Sequence, residues 1–212
     1  ISGAIAVANV LGLIATIWLG RRAFGPLAGV VAGALYAVSP WAVFYARRIW
    51  QPDLMPPLAV LLFIALDLAV VDRRVWWAAA TFPIVAVATL VHPSFATLAP
   101  LLLAPAMVLL RARRWLPLLV GGGVACLTTI PYVIYQVQTR WVDVANLRYY
   151  SSLHTWIDLD SVRYAWGLAT GLGVRNDTAI PRLDRAVPEV LLDVAAGLET
   201  ALLVAAIAVG LL

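Results

Sequence analysis

The chain has 212 residues, 63% of them hydrophobic and 12% charged, with a mean hydropathy of +0.92. Soluble domains are about 45–50% apolar and about 25% charged, so this composition excludes a soluble globular domain, a disordered chain and a nucleic-acid binder. It leaves a polytopic membrane protein, because too few polar residues are present to cover a water-facing surface. The net charge is +4 and every one of the 15 basic residues is arginine. These arginines fall in short clusters between apolar runs (Arg21–Arg22, Arg47–Arg48, Arg73–Arg74, Arg111 with Arg113 and Arg114), the pattern of membrane loops. The first residues show no signal-peptide pattern. Because the chain opens on Ile1 and stops at Leu212 within an apolar run, it reads as a piece of a longer protein.

A spanning helix needs about 20 mainly apolar residues. On that ruler seven spans are expected, at 1–19, 26–46, 54–71, 75–91, 95–110, 115–137 and 190–212, the fifth being short. The fold class is therefore all-α, a polytopic transmembrane bundle of about seven spans with one long outer loop. Helices are favoured over barrel strands because the runs lack alternation and each backbone amide must be satisfied within its own segment. The chain divides into helices one to six at 1–137, an extracytoplasmic loop at 138–189 and a truncated seventh helix at 190–212. Prolines 40, 83, 100, 105 and 131 fall inside spans, which membrane helices tolerate when neighbours satisfy the freed carbonyls. Within the sixth span, Gly121–Gly122–Gly123 reads as a close helix–helix contact. The lone cysteine there, Cys126, forms no internal disulfide and reads as a small packing residue.

The long loop holds six arginines and six acids and is neutral. Asp160 can cap a short helix over residues 161–167, and Tyr149, Tyr150, Trp156, Tyr164 and Trp166 suit a segment at the headgroup level. Orientation follows from density rather than number. The loops at 20–25, 72–74 and 111–114 pack seven arginines against the single acid Asp72, which favours the cytoplasm for that side; 47–53, 92–94 and 138–189 then lie outside.

Chemistry concentrates between Ser39 and Pro57. Arg47, Arg48, Gln51 and Asp53 place two guanidiniums, an amide and a carboxylate within seven residues at the outer mouth of the second and third spans. Guanidinium forks match phosphate oxygens, and a carboxylate beside them can orient a hydroxyl acceptor or act as its base. The same residues also suit plain interfacial anchoring, with Asp53 paired to Arg47 or Arg48. His92–Pro93–Ser94 forms a polar hairpin on the same side, facing the same cavity or simply turning in solvent. Asp67, inside the third span, reads as a boundary residue paired with Arg73 or Arg74. His154 and Asp158 lack metal spacing, and with no His or Cys cluster no metal site is expected. Fingerprints of P-loop ATPases, Rossmann enzymes and serine hydrolases are missing.

The block Gly20-Arg21-Arg22-Ala23-Phe24-Gly25, the small-residue helix containing Ala28–Gly29, the Ser39–Pro40 pair, the phrase Arg48-Ile49-Trp50-Gln51-Pro52-Asp53-Leu54-Met55-Pro56-Pro57 and the later His92–Pro93 resemble the membrane-embedded glycosyltransferases that use polyprenyl-phosphate sugars. These are the protein-mannosyltransferase-like and aminoarabinose-transferase-like proteins of glycosyltransferase family 39. The resemblance covers roughly the first 140 residues. It implies inverting sugar transfer at the outer leaflet of a bacterial plasma membrane, with a lipid-linked donor and membrane lipids as partners and no nucleic acid. Asp53 matches the family's second acid, and Arg47, Arg48, Gln51 and His92 are the substrate-binding candidates. The family's first acid, in an outer loop after the first span, has no counterpart here, so the piece alone is expected to be inactive. No cofactor is implied; a divalent cation, the sugar, the acceptor and the oligomeric state stay open. Two other classes compete: a transporter or lipid flippase, against which the lack of paired broken helices counts, and a purely structural membrane subunit.

Overall fold

The computed structural model describes residues 2–39 and 51–152, with Gly197 and Ala201 as two isolated helical positions. Among the described residues the chain is all-helical, with no strand. Its α-helices are α1 (Ser2–Phe24), α2 (Pro26–Val38), α3 (Met55–Val70), α4 (Val75–Val91), α5 (Leu103–Arg111), α6 (Trp115–Gln138) and α7 (Val142–Ser152). Short 3₁₀ segments, Gln51–Leu54 and Pro93–Leu102, precede α3 and α5. Among the described residues three helical stretches are long and apolar enough to cross a membrane: Gly3–Phe24, Pro93–Arg111 and Trp115–Gln138. The helices Pro26–Val38, Met55–Val70 and Val75–Val91 are apolar but shorter; the end of the expected second span, at 40–46, and the expected seventh, at 190–212, lie outside the described residues apart from Gly197 and Ala201.

Several boundaries move for identifiable reasons. The first helix runs on to Phe24, through the arginine pair expected in a loop, because Arg is a good helix former and only Gly25 breaks the pattern. Gly25 adopts φ 96°, a conformation open to glycine, and Pro26 follows at the first position of α2. The expected fifth span lies within the continuous stretch Pro93–Arg111 but changes winding along its length. Pro93, Pro100 and Pro105 each remove an amide donor, and Pro93–Leu102 tightens to 3₁₀ before α5 begins. The long loop opens with a helix, α7, that the sequence reading did not contain; the helix expected at 161–167 lies outside the described residues.

α1 and α2 form a tight antiparallel pair. A Cβ on Gly29 would lie 2.5 Å from the Ile17 carbonyl oxygen and 2.7 Å from the Arg21 nitrogen, and one on Gly33 would lie 2.3 Å from Ile17 Cγ1. At Gly29 glycine is required by the approach of one backbone to another, and at Gly33 it makes room for the Ile17 side chain. α1 also packs on α3, α3 on α4, and α4 on both α5 and α6. Two buried clusters fill these contacts. Leu62, Val85, Ala88 and Phe95 form one; Ala69, Ala78 and Leu109 form the other. Of the glycine triplet only Gly121 makes the expected close contact, its Cβ position 2.3 Å from the Ala79 carbonyl oxygen, while Gly122 and Gly123 face open space. Cys126 is exposed, which corrects its reading as a packing residue. Around this narrow core the surface is apolar: Phe24, Leu27, Leu103, Leu119 and Leu127 are all at least 66% exposed. Burying such a surface is the task of lipid.

These contacts sort the helix ends into two sets. Arg22, Asp67 and Asp72 meet at one end, and the second cluster draws the end of α5 and Leu118 of α6 to the same place. The loops at 20–25, 72–74 and 111–114 therefore share one end of the bundle. Arg73 and Arg113 close their hairpins with φ of 57° and 52°, left-handed positions that a non-glycine residue occupies at about 1–2 kcal/mol. Gly29→Ala should lower stability by about 1–3 kcal/mol through overpacking against the α1 backbone, whereas Gly122→Ala should hold or raise it by up to about 1 kcal/mol. Thermal unfolding in detergent followed by circular dichroism checks this, and equal losses in both variants would disprove the close-approach account.

Candidate functional site

The carboxylate singled out in the sequence, Asp53, sits in the 3₁₀ turn Gln51–Leu54, at the bundle end opposite the arginine-dense loops. Pro52, Pro56 and Pro57 favour a turn leading directly into a helix, since proline is accommodated in a first helical turn. The turn packs against α1, α3 and α4. Asp53 is 1% exposed, so the expected open mouth is a position inside the helix wall.

What holds the turn there is Asn9 of α1. Its Nδ2 donates to the backbone carbonyl of Asp53 at 3.0 Å and to the Ile5 carbonyl at 3.0 Å. Its Oδ1 accepts from the Tyr36 hydroxyl of α2 at 3.0 Å. One amide thus joins α1, α2 and the turn that starts α3. A polar group buried in apolar surroundings keeps its place only when its bonds are made, and both ends of this amide are engaged. The same spot is packed closely: a Cβ on Gly12 would lie 3.0 Å from the Tyr36 hydroxyl and 3.1 Å from Pro57 Cβ. Neither Asn9 nor Tyr36 was picked out from sequence. The available signal was a lone asparagine in an otherwise apolar span, a residue type whose amide needs partners in a membrane interior.

The other candidates separate. Arg47 and Arg48 lie outside the described residues, as does the side chain of Gln51. His92 ends α4 and begins the 3₁₀ segment Pro93–Leu102. Its Nδ1 accepts from the Ser94 amide at 3.3 Å and lies 2.7 Å from the Ser94 hydroxyl, so its ring serves the turn itself. With Nδ1 accepting, the ring proton is assigned to Nε2. None of the hydrogen bonds found for His92 reaches Asp53.

Two further polar clusters lie away from Asp53. Asp67 pairs with Arg22 of α1, not with Arg73 or Arg74: Arg22 Nε lies 2.5 Å from Asp67 Oδ2 and its Nη2 2.5 Å from Asp72 Oδ1. Arg74 Nε adds a 3.5 Å contact to Asp72, and the Arg22 guanidinium lies 5.6 Å from the centre of the Trp18 ring. At the other end, Asp143 in the first turn of α7 accepts from Tyr132 at 3.0 Å and from the buried Gln136 amide. This pins α7 to α6, with Arg140 and Trp141 both in left-handed backbone positions at the corner. Among the described residues no three His, Cys, Asp or Glu side chains converge as a metal site would require.

No protein-family model, no curated protein and no solved structure matches this chain.

Asn9→Leu should destabilise the protein by about 1–3 kcal/mol, because it removes the donor to the Asp53 carbonyl and the acceptor of the half-buried Tyr36 hydroxyl. Tyr36→Phe removes one bond and should cost about 1 kcal/mol. Thermal unfolding of both singles and the double variant gives their coupling. Additive losses would show that amide and hydroxyl do not act as one network.

Proposed function

We propose that the chain belongs to a membrane-embedded glycosyltransferase that moves a sugar from a polyprenyl-phosphate donor to an acceptor at the outer face of a bacterial plasma membrane. The observation that carries the reading is the buried Asp53, held by its own backbone carbonyl to Asn9 at the bundle end opposite the arginine-dense loops. A carboxylate fixed through its backbone keeps its position while its side chain changes protonation, which is what a general base requires. In this reading Asp53 takes the proton of the acceptor hydroxyl as that oxygen attacks the anomeric carbon. The new carbon–oxygen bond forms on the face opposite the donor phosphate, whose bond to the sugar breaks and releases polyprenyl phosphate. Arg47 and Arg48, six and five residues before Asp53, supply forks for that phosphate.

The distribution of charge supports surface chemistry over transport. The ionisable groups of α1 and α3 gather at helix ends, with Arg21, Arg22 and Asp67 at one and Asp53 just before the start of α3 at the other. Transporters place such groups near the midplane, beside broken helices.

In the native protein, Asp53→Asn should reduce transfer from a radiolabelled polyprenyl-phosphate sugar by about 10²–10⁴-fold while leaving membrane expression intact. Turnover near the wild-type rate would refute the assignment. Orientation is tested separately. In a Cys126→Ser background, a cysteine at position 146 should react with an impermeant thiol reagent in intact cells and one at position 112 should be protected. The reverse pattern would place the arginine-dense end outside.

A further inference from the structure

The two hairpins at the arginine-dense end share one design. The α3–α4 connection runs Val71-Asp72-Arg73-Arg74 and the α5–α6 connection runs Ala112-Arg113-Arg114. In each, the first arginine of the pair takes a left-handed conformation, φ 57° at Arg73 and 52° at Arg113. In each, the second arginine donates its amide back to a leucine carbonyl of the preceding helix: Arg74 to Leu68 at 3.0 Å and Arg114 to Leu109 at 2.9 Å. In each, that second arginine then stands at the N-cap of the following helix, where its side chain makes no capping bond. Glycine is the residue such a left-handed position favours and Asp, Asn or Ser the residue an N-cap favours. Both hairpins carry arginine at both positions, against local preference.

The two tips are neighbours. Gly121 near the start of α6 lies against Ala79 near the start of α4, and Ala69, Ala78 and Leu109 form one buried cluster beneath them. The acids at this end, Asp67 and Asp72, are engaged by Arg22 and Arg74. Arg21, Arg73, Arg111, Arg113 and Arg114 are all exposed, and no ion pair is found for any of them among the described residues. Around them stand exposed aromatic rings: Phe24 at 83%, Trp76 at 56% and Trp115 at 57%. Aromatic rings at the boundary between an apolar helix and a polar loop mark headgroup depth.

We propose that the paired tips Arg73–Arg74 and Arg113–Arg114 form an interaction surface for anionic phospholipid, with the exposed guanidiniums of Arg73, Arg113 and Arg114 on lipid phosphates and the Trp76 and Trp115 rings at the acyl boundary. The geometry carries this independently of any sugar transfer. Guanidiniums meet phosphate oxygens by paired hydrogen bonds, and an unneutralised basic cluster beside an apolar belt attracts an anionic leaflet. A lipid is favoured over a free phosphate because the same surface offers apolar area for acyl chains next to the charge.

The experiment titrates the native protein in detergent with dihexanoyl phosphatidylglycerol below its micelle concentration, by calorimetry, with dihexanoyl phosphatidylcholine and glycerol 3-phosphate as comparison ligands. Phosphatidylglycerol should bind more tightly than either. Each guanidinium contributes about a fivefold factor at such a surface, so R73Q/R113Q/R114Q should weaken binding by about a hundredfold. R73K/R113K/R114K should retain most of it, since charge attraction outlasts the loss of the fork. R140Q, at the opposite end, should bind as wild type. Because a misfolded triple variant would also lose binding, R73G/R113G is included: glycine relaxes both left-handed turns, so it keeps the fold and should still bind more weakly than wild type. Equal affinity for phosphatidylcholine, equal affinity for glycerol 3-phosphate, an R140Q loss matching the triple variant, or wild-type binding by R73G/R113G would each overturn the proposal.

Discussion

The approach of α1 to α2 sets the geometry on which the rest of the bundle depends. Gly20 and Gly29 let the two backbones meet, Gly33 receives the Ile17 side chain, and a Cβ at Gly29 would collide with the carbonyl of Ile17. At that separation polar groups on the two helices come within bonding reach. Tyr36 of α2 reaches Asn9 of α1, and Asn9 in turn reaches the Asp53 carbonyl. Packing between helices in a membrane gains little from the hydrophobic effect, since lipid is as apolar as the helices. Close backbone approach and a few satisfied hydrogen bonds therefore supply the specificity.

The two ends of α1 then do different jobs. Near its start, Asn9 orders a turn that carries a buried carboxylate. At its finish, Arg22 spans the ends of α3 and the loop beyond, holding Asp67 and Asp72 together. Asp67 and Asp143, each near a helix end, meet donors from neighbouring elements, so neither is carried into apolar surroundings without a partner. The same logic explains α7. Asp143 sits in its first turn, where it favours the helix dipole and also accepts from Tyr132 and Gln136 of α6.

The consequence is a bundle with a chemical polarity along its axis. One end concentrates arginine and exposed tryptophan; the other holds a buried acid, an amide–hydroxyl relay and an aromatic corner at Tyr132, Tyr135 and Trp141. In a membrane such an axis fixes both orientation and depth, since basic loops and interfacial rings resist displacement from the headgroup layer.

By itself the sequence determined the class of the fold and the positions of most helices, because both follow from the length of apolar runs and the arginines that interrupt them. It placed α4 at Val75–Val91 and α6 within one residue of its observed end, and it located the turn containing Asp53. It found the apolar stretch at 95–110, which lies within Pro93–Arg111, but not the 3₁₀ winding of its first half, where Pro93 and Pro100 lack amide donors, and it had no signal for α7, whose residues are polar. Tertiary structure alone decided the partners. Asp67 chose Arg22, distant in sequence, over the nearby Arg73 and Arg74, because α1 and α3 lie side by side and a helix directs its side chains to neighbours across the interface. Asn9 became the anchor of the Asp53 turn for the same reason: a hydrogen bond between residues 44 apart exists only once three helices have met, and no local pattern of residues records that meeting.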